Sequence, residues 1–154
     1  QKYLMRWGVS EKDDIEIKFS DDAYQIKGRA DGKFKWKGEM VGLEIKSMNM
    51  FGFNALKEPK PDHVKQFMLY LKFLELDKGL MVYECKNTQN IKAWWIKYNE
   101  HAIKFLLRIV AEAVLALKNR ELPAKICEGR LDKDCEFRVI CEGGLQFQSF
   151  EGEK

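Results

Sequence analysis

Hydrophobic periodicity in this chain switches from strand-like to helix-like and back, and the order of the switches narrows the fold to one class. Ile15 to Phe19 alternates apolar and charged side chains, the pattern of a half-buried strand. Ser20-Asp21-Asp22 is a turn cluster. Tyr24 to Lys35 follows as a second strand, bent near Asp31-Gly32, and Met40 to Lys46 as a third. Ser47 to Pro61 is irregular. Asp62 is then placed to cap a helix in which Val64, Phe67, Met68, Leu71 and Leu74 recur at helical spacing. This helix is expected to run to about Asp77 and to stop at Gly79. Leu80 to Cys85 is an apolar run of the kind found in buried strands, and Ile91 to Ile96 is a further strand. Asn99 can cap a long helix through Ile103, Leu106, Leu107, Val110, Val114 and Leu117 that ends before Pro123. The order strand-strand-strand, helix, strand-strand, helix predicts an α/β protein of the α+β kind, a central mixed β-sheet flanked by helices.

With 154 residues the chain is long enough for one domain with a real core, expected over 1–142, with a flexible tail at 143–154. It opens at Gln1 rather than Met, so the first element, ending near Gly8, is expected to have lost its start. Against 24 acidic residues stand 27 basic ones, a net charge of +3 that does not by itself demand nucleic acid. Lys27, Lys33, Lys35, Lys37 and Lys46 nevertheless gather near the strands, which suits a polyanionic substrate. There is no apolar run of about 18 residues, hence no membrane span, and no secretory signal pattern. The four cysteines are too sparse for a disulfide scaffold, so a reducing, cytoplasmic setting is the expectation.

The chemistry concentrates on a hairpin. Lys37-Gly38 reads as a tight turn, which pairs Trp36 with Glu39 and therefore Asp31 with Glu44. Side chains alternate along a strand, so Glu44 and Lys46 share a face while Ile45 points the other way. Two hard oxygen donors and an ammonium converge. That is a candidate Mg²⁺ or Mn²⁺ site beside a group able to handle a water. Both carboxylates can stay ionised there only with a cation between them. Asp-Gly turns and Glu-x-Lys triplets also occur on ordinary solvated strands, so the pattern gains meaning only in company.

That company exists. After Gly28-Arg29-Ala30-Asp31 and Glu44-Ile45-Lys46 come Gln66-Phe67-Met68-Leu69-Tyr70, a Gln-x-x-x-Tyr box on the next helix, and then Gly79 to Lys86. In order and spacing, over residues 24–97, the chain resembles the PD-(D/E)XK nuclease superfamily, and within it the RecB-like exonuclease branch of CRISPR-adaptation and phage enzymes. The resemblance implies a restriction-endonuclease-like core and a metal-dependent DNA nuclease of a prokaryote or phage, an exonuclease acting on single strands or ends. It implies that Asp31, Glu44 and the backbone carbonyl of Ile45 hold the metal. Lys46 orients or deprotonates the attacking water. Gln66 and Tyr70 approach the site or the DNA backbone, and Lys86 lies near a phosphate. Two other readings remain open: an endonuclease of the same fold, and a catalytically silent nucleic-acid-binding module. Nothing in the residues points to a protein partner.

The chain departs from the family pattern twice. No His precedes Asp31 to serve as the upstream metal ligand, and Glu11, Asp13, Asp14 and Glu16 read as surface charge. The branch's [4Fe–4S] ligands are also incomplete. Cys135 and Cys141 keep the final spacing, but Asp132 stands where the preceding Cys belongs and Cys127 lies further back. A cluster normally takes four thiolates, which argues against one here. His63, Gln66 and Tyr70 share a helix face, yet His63 matches no family element and reads as an exposed helix residue. Phe51 and Phe53 either stack on bases or pack beneath their loop. Trp94 and Trp95 alternate faces, and core packing is expected for both.

Overall fold

The computed structural model describes residues 11–121. The expectations for the first ten residues, for Cys127, Asp132, Cys135 and Cys141, and for the tail therefore lie outside the described residues. Contacts divide the chain into two compact units after Ala111. The first holds the sheet; of the second, the described part is residues 112–121.

Five strands form one mixed sheet in the order of the sequence. Strands β1 (Ile15–Asp21), β2 (Ile26–Trp36) and β3 (Glu39–Met48) make an antiparallel meander. Strand β4 (Lys78–Cys85) lies parallel to β3, and β5 (Ile91–Lys97) closes the sheet antiparallel to β4. A parallel neighbour requires a crossover. Here it is made by the short helix α1 (Met50–Ala55) and by α2 (Pro61–Phe73). Helix α3 (Glu100–Asn119) follows β5, with the Asn99 side chain accepting from the Ala102 amide at 3.0 Å as its cap. No helix among the described residues is long and apolar enough to cross a membrane.

The turn at Lys37-Gly38 sets the register. Both residues take positive φ, 49° and 88°, the backbone of a type I′ turn that matches strand twist. Pairing then runs from Trp36↔Glu39 to Gly32↔Leu43. Near Asp31, β2 changes partner: residues 26–32 pair with β1 and residues 32–36 with β3.

A pair of glycines decides how close α2 sits. Gly42 and Gly79 are neighbours across β3 and β4. A Cβ at Gly79 would overlap the Phe67 ring, and one at Gly42 would approach Leu71 Cδ2 to 2.9 Å. Phe67 and Leu71, each 1% exposed, thus press onto bare backbone and seal a core with Phe53, Leu56, Leu76, Met81, Tyr83 and Cys85. Phe34, Val41 and Leu43, with half-buried Ile45, Leu80 and Val82, form a separate cluster. Gly79→Ala should cost about 1–3 kcal/mol through overpacking. That lowers the melting temperature by several degrees, as calorimetry would read. An unchanged melting temperature would mean that α2 shifts freely and that the close approach is not needed.

Four expectations need correction. The stretch from Ser47 to Pro61 is not wholly irregular, because it contains α1. The Asn49 side chain accepts from the Gly52 amide, and Lys92 Nζ binds the carbonyls of Phe53 and Leu56 at 2.6 and 2.7 Å. Those distant contacts stabilise a helix whose own residues, with a central Gly, favour it little. Helix α2 starts two residues early, at Pro61 after an N-cap at Lys60, where the missing N–H costs nothing. Asp62 therefore sits inside the first turn, bonded to Lys65 rather than capping. The same helix ends at Phe73, not near Asp77, and Gly79 does not stop it. Glu75 adopts the left-handed φ of 55°, its amide reaching Lys72 O while Leu76 N reaches Leu71 O, a Schellman closure with Glu where Gly is usual. Finally, only Trp94 packs inward, edge-on to Tyr83. Trp95 is 45% exposed and tilted beside Trp36.

Candidate active site

Glu44 is the one buried charged residue among the described residues, 3% exposed on the middle of β3. One carboxylate oxygen, Oε1, takes a 2.7 Å ion pair from Lys46 Nζ, two residues along the same strand face. The other, Oε2, is buried and makes no hydrogen bond. Burial pushes the Glu44 carboxyl up from its ordinary value. The Lys46 hydrogen bond opposes this, and the nearby Asp31 charge adds to it. An unsatisfied, desolvated carboxylate oxygen is costly unless something electropositive completes it.

Asp31 enters from β2, as the turn register requires. Its Oδ2 accepts the backbone N–H of Ile45 at 2.7 Å, which holds the carboxylate against the backbone next to Glu44. Ile45 itself sends its side chain to the opposite cluster with Leu43 and Val82. The two carboxylates are joined by no third His, Cys, Asp or Glu in a metal-binding group among the described residues. Mg²⁺ commonly binds through one or two carboxylates with water and substrate oxygens, so the donor set fits such an ion without a third acidic side chain. The upstream carboxylates are engaged elsewhere: Asp14 with Lys33 at 3.4 Å, Glu16 with Arg29 at 3.6 Å. Glu11 and Asp13 are exposed.

Helix α2 brings the next layer. Lys46 Nζ donates to Gln66 Oε1 at 2.7 Å, and Gln66 Nε2 donates to the Tyr70 hydroxyl at 2.6 Å. An ammonium only donates, so the Gln66 amide is fixed with its oxygen toward Lys46. Tyr70 OH then accepts from Gln66 and keeps its own hydrogen to offer. Burial and the Glu44 carboxylate hold this phenol above its ordinary value. Its ring rests edge-on against Phe19 of β1, which in turn stacks on Phe73. Of the residues singled out by the sequence, Asp31, Glu44, Ile45, Lys46, Gln66 and Tyr70 come together. Lys86 does not join them. It is exposed in the turn after β4, its amide bonded to Met48 O at 2.9 Å. It lies three positions beyond Tyr83, the register partner of Lys46, or about 10 Å along the strand.

Sequence reasoning missed two residues. Tyr83 stands beside Lys46 on β4, its ring fully buried. Its hydroxyl accepts from the Lys60 amide at 3.0 Å and meets His63 Nδ1 at 2.9 Å, and the His63 ring stacks on the Tyr83 ring. His63 is therefore half-buried, not an exposed helix residue. The available signal was the shared helix face of His63, Gln66 and Tyr70. The phenylalanines of α1 divide: Phe53 is buried in the core and Phe51 is 82% exposed.

No family model matches the sequence, and no curated protein does. Solved structures do. The chain is similar to a protein designated SSO0001, with a TM-score of 0.57 at 23% identity, over 94% of this chain and 66% of that one. It is also similar to the alkaline exonuclease LHK-Exo from Laribacter hongkongensis. The LHK-Exo complex with dAMP gives a TM-score of 0.62 at 16% identity, over 77% of this chain and 62% of that one. A second LHK-Exo structure gives 0.51 at 18% identity with the same coverage. The chain spans less than two thirds of each neighbour's length. At these identities the likeness establishes the fold alone: a mixed five-stranded sheet with helices, consistent with a restriction-endonuclease-like core.

Proposed function

We propose that this chain is a divalent-metal-dependent deoxyribonuclease, hydrolysing phosphodiester bonds in single-stranded or end-containing DNA as an exonuclease of the RecB-like branch. The observation that carries the reading is the buried Oε2 of Glu44, without a hydrogen bond, in a cluster with Asp31 and Lys46. The Lys46 ion pair alone leaves the desolvation of that oxygen uncompensated, which a bound cation would offset. Asp31, Glu44 and the Ile45 carbonyl are the groups that would hold Mg²⁺ or Mn²⁺. When bound, such an ion acidifies water and polarises a phosphate oxygen.

The chain's own groups do the rest. Two of the three Lys46 N–H bonds are committed, to Glu44 and to Gln66, which leaves one to hold the attacking water or, after deprotonation, to take its proton. Gln66 and Tyr70 aim the Lys46 ammonium and keep it from rotating, so its position is prepaid before substrate binds. The protonated Tyr70 hydroxyl offers its hydrogen toward a phosphate oxygen. Lys86, further along the sheet, suits a phosphate one or two nucleotides away. The neighbour LHK-Exo is an alkaline exonuclease that was crystallised with dAMP, which favours DNA and exonucleolytic cutting over the other readings.

Labelled linear and covalently closed circular DNA, each incubated with the protein and Mn²⁺, test the assignment. Loss of linear DNA only is the expected result. Cutting of circles would make the chain an endonuclease of the same fold. No cutting of either, with DNA still bound, would make it a silent binding module.

A further inference from the structure

The pair formed by half-buried His63 and buried Tyr83 is polar structure that the chemistry above does not use. Its hydrogens can be assigned. The Tyr83 oxygen accepts from the Lys60 amide, and His63 Nδ1 is the one acceptor that its buried O–H meets among the described residues, so that hydrogen goes to Nδ1. An imidazole that accepts at Nδ1 carries its proton at Nε2. Burial, and then the ammoniums of Lys46 and Lys60, hold the imidazole below its ordinary value, with Asp62 opposing. Burial likewise holds the Tyr83 phenol above its own, so both groups are neutral in the range where enzymes work. Nε2 has no hydrogen-bond partner among the described residues, and the ring is stacked on Tyr83, which limits its rotation. The result is a neutral N–H donor with a fixed tautomer. It lies in the field of two ammoniums, on the same helix face as Gln66 and Tyr70.

We propose that His63 is a substrate-binding residue whose Nε2–H donates to a non-bridging phosphate oxygen of the DNA strand held beside Glu44 and Lys46. A neutral donor flanked by ammoniums suits an anion better than a cation or an apolar group. Tyr83 is the positioning residue, since its hydroxyl selects the tautomer. The identity of the anion rests on the nuclease reading.

The test compares wild type with His63→Ala, His63→Gln, Tyr83→Phe and Lys46→Ala, all checked for unchanged melting. A fluorescein-labelled single-stranded oligonucleotide reports binding by anisotropy in EDTA, and its cleavage is followed separately in Mn²⁺. His63→Ala should weaken binding and raise KM by about tenfold, the scale of one hydrogen bond to a charged group, with kcat held within about twofold. His63→Gln, which places an amide N–H near the position of Nε2, should recover most of the loss. Tyr83→Phe should weaken binding in the same direction by a smaller factor. Wild-type binding by His63→Ala, or no recovery by His63→Gln, would overturn the proposal and leave His63 as packing for Tyr83. Lys46→Ala separates the two ideas. If it abolishes cleavage while His63→Ala is silent, only the phosphate contact fails. If the wild type itself binds the oligonucleotide without cleaving it while His63→Ala loses DNA, the contact stands and the nuclease reading falls.

Discussion

Lys46→Ala is expected to cut turnover by on the order of 10²-fold or more while leaving DNA affinity nearly intact. The ammonium sits 2.7 Å from Glu44 and 2.7 Å from Gln66, held from two sides, with its remaining N–H unclaimed among the described residues. Whether that hydrogen bond orients the attacking water or the amine takes its proton, the contribution is made mainly in the transition state. It should therefore appear in kcat rather than in KM. Metal affinity should hold or rise, because a like charge beside the carboxylates is gone. Gln66→Ala should reproduce part of the loss, since it frees the ammonium to rotate without removing it. Lys37→Ala makes the same charge change in the exposed turn at the far end of the hairpin and serves as the control. Single-turnover kinetics on the three variants decide the matter. If Lys46→Ala and Lys37→Ala both cleave like wild type, Lys46 is only a structural ion-pair partner of Glu44 beneath α2.

What the sequence made legible was local chemistry whose consequences propagate. Lys37-Gly38 is a turn by residue type, and once it is a two-residue turn the alternation of strands brings Asp31 opposite Glu44. The β2–β3 ladder itself ends one step short, at Gly32↔Leu43, and beyond it the Asp31 carboxylate accepts the Ile45 amide, which keeps it next to Glu44. Gln66 and Tyr70 were placed by helical spacing on one face, and the structure puts that face on Lys46. The features that sequence reasoning missed all depend on contacts between distant segments. The left-handed Glu75 ends α2 because Leu76 turns back into the core with Leu71, an arrangement that no Gly announces. Helix α1 depends on Lys92, which comes from a strand not yet formed when the segment is read. His63 looked solvated because its partner is Tyr83. Their meeting requires β4 to lie parallel to β3 with Tyr83 beside Lys46. Parallel register is set by the crossover and by the Gly42–Gly79 pair, not by a turn.

Glu44→Gln should cut activity steeply and, in the absence of metal, make the protein more stable at neutral pH. The two effects have one cause. The folded state holds the Glu44 proton more tightly than the unfolded chain does, chiefly because the carboxyl is buried. The stability associated with that proton is fully present below the ordinary carboxylate range. It is lost as pH rises through the elevated folded value, so the ionised form at neutral pH is a net cost. Gln removes the charge, keeps the shape and retains an oxygen to accept from Lys46. Without metal its melting temperature should exceed that of wild type by a few degrees at neutral pH, and the gap should close in acid, where Glu44 is protonated. Divalent metal reverses the order. At about 100 times its Kd an ion that binds only the folded state stabilises wild type by about 2.7 kcal/mol, and the variant, lacking one of two carboxylates, by far less. Activity should fall on the order of 10²–10³-fold, because the ion is no longer held where charge develops. Thermal melts with EDTA and with Mn²⁺, at acid and neutral pH, read all of this without substrate. The decisive pattern is a crossing: the variant is more stable without metal, wild type with it. If metal raises both melting temperatures equally, the ion binds elsewhere and Glu44 is a structural ion-pair partner of Lys46. If the variant is less stable at every pH, the Lys46 pair outweighs the burial of Glu44. The oxygen without a hydrogen bond would then not be the cost it is taken for.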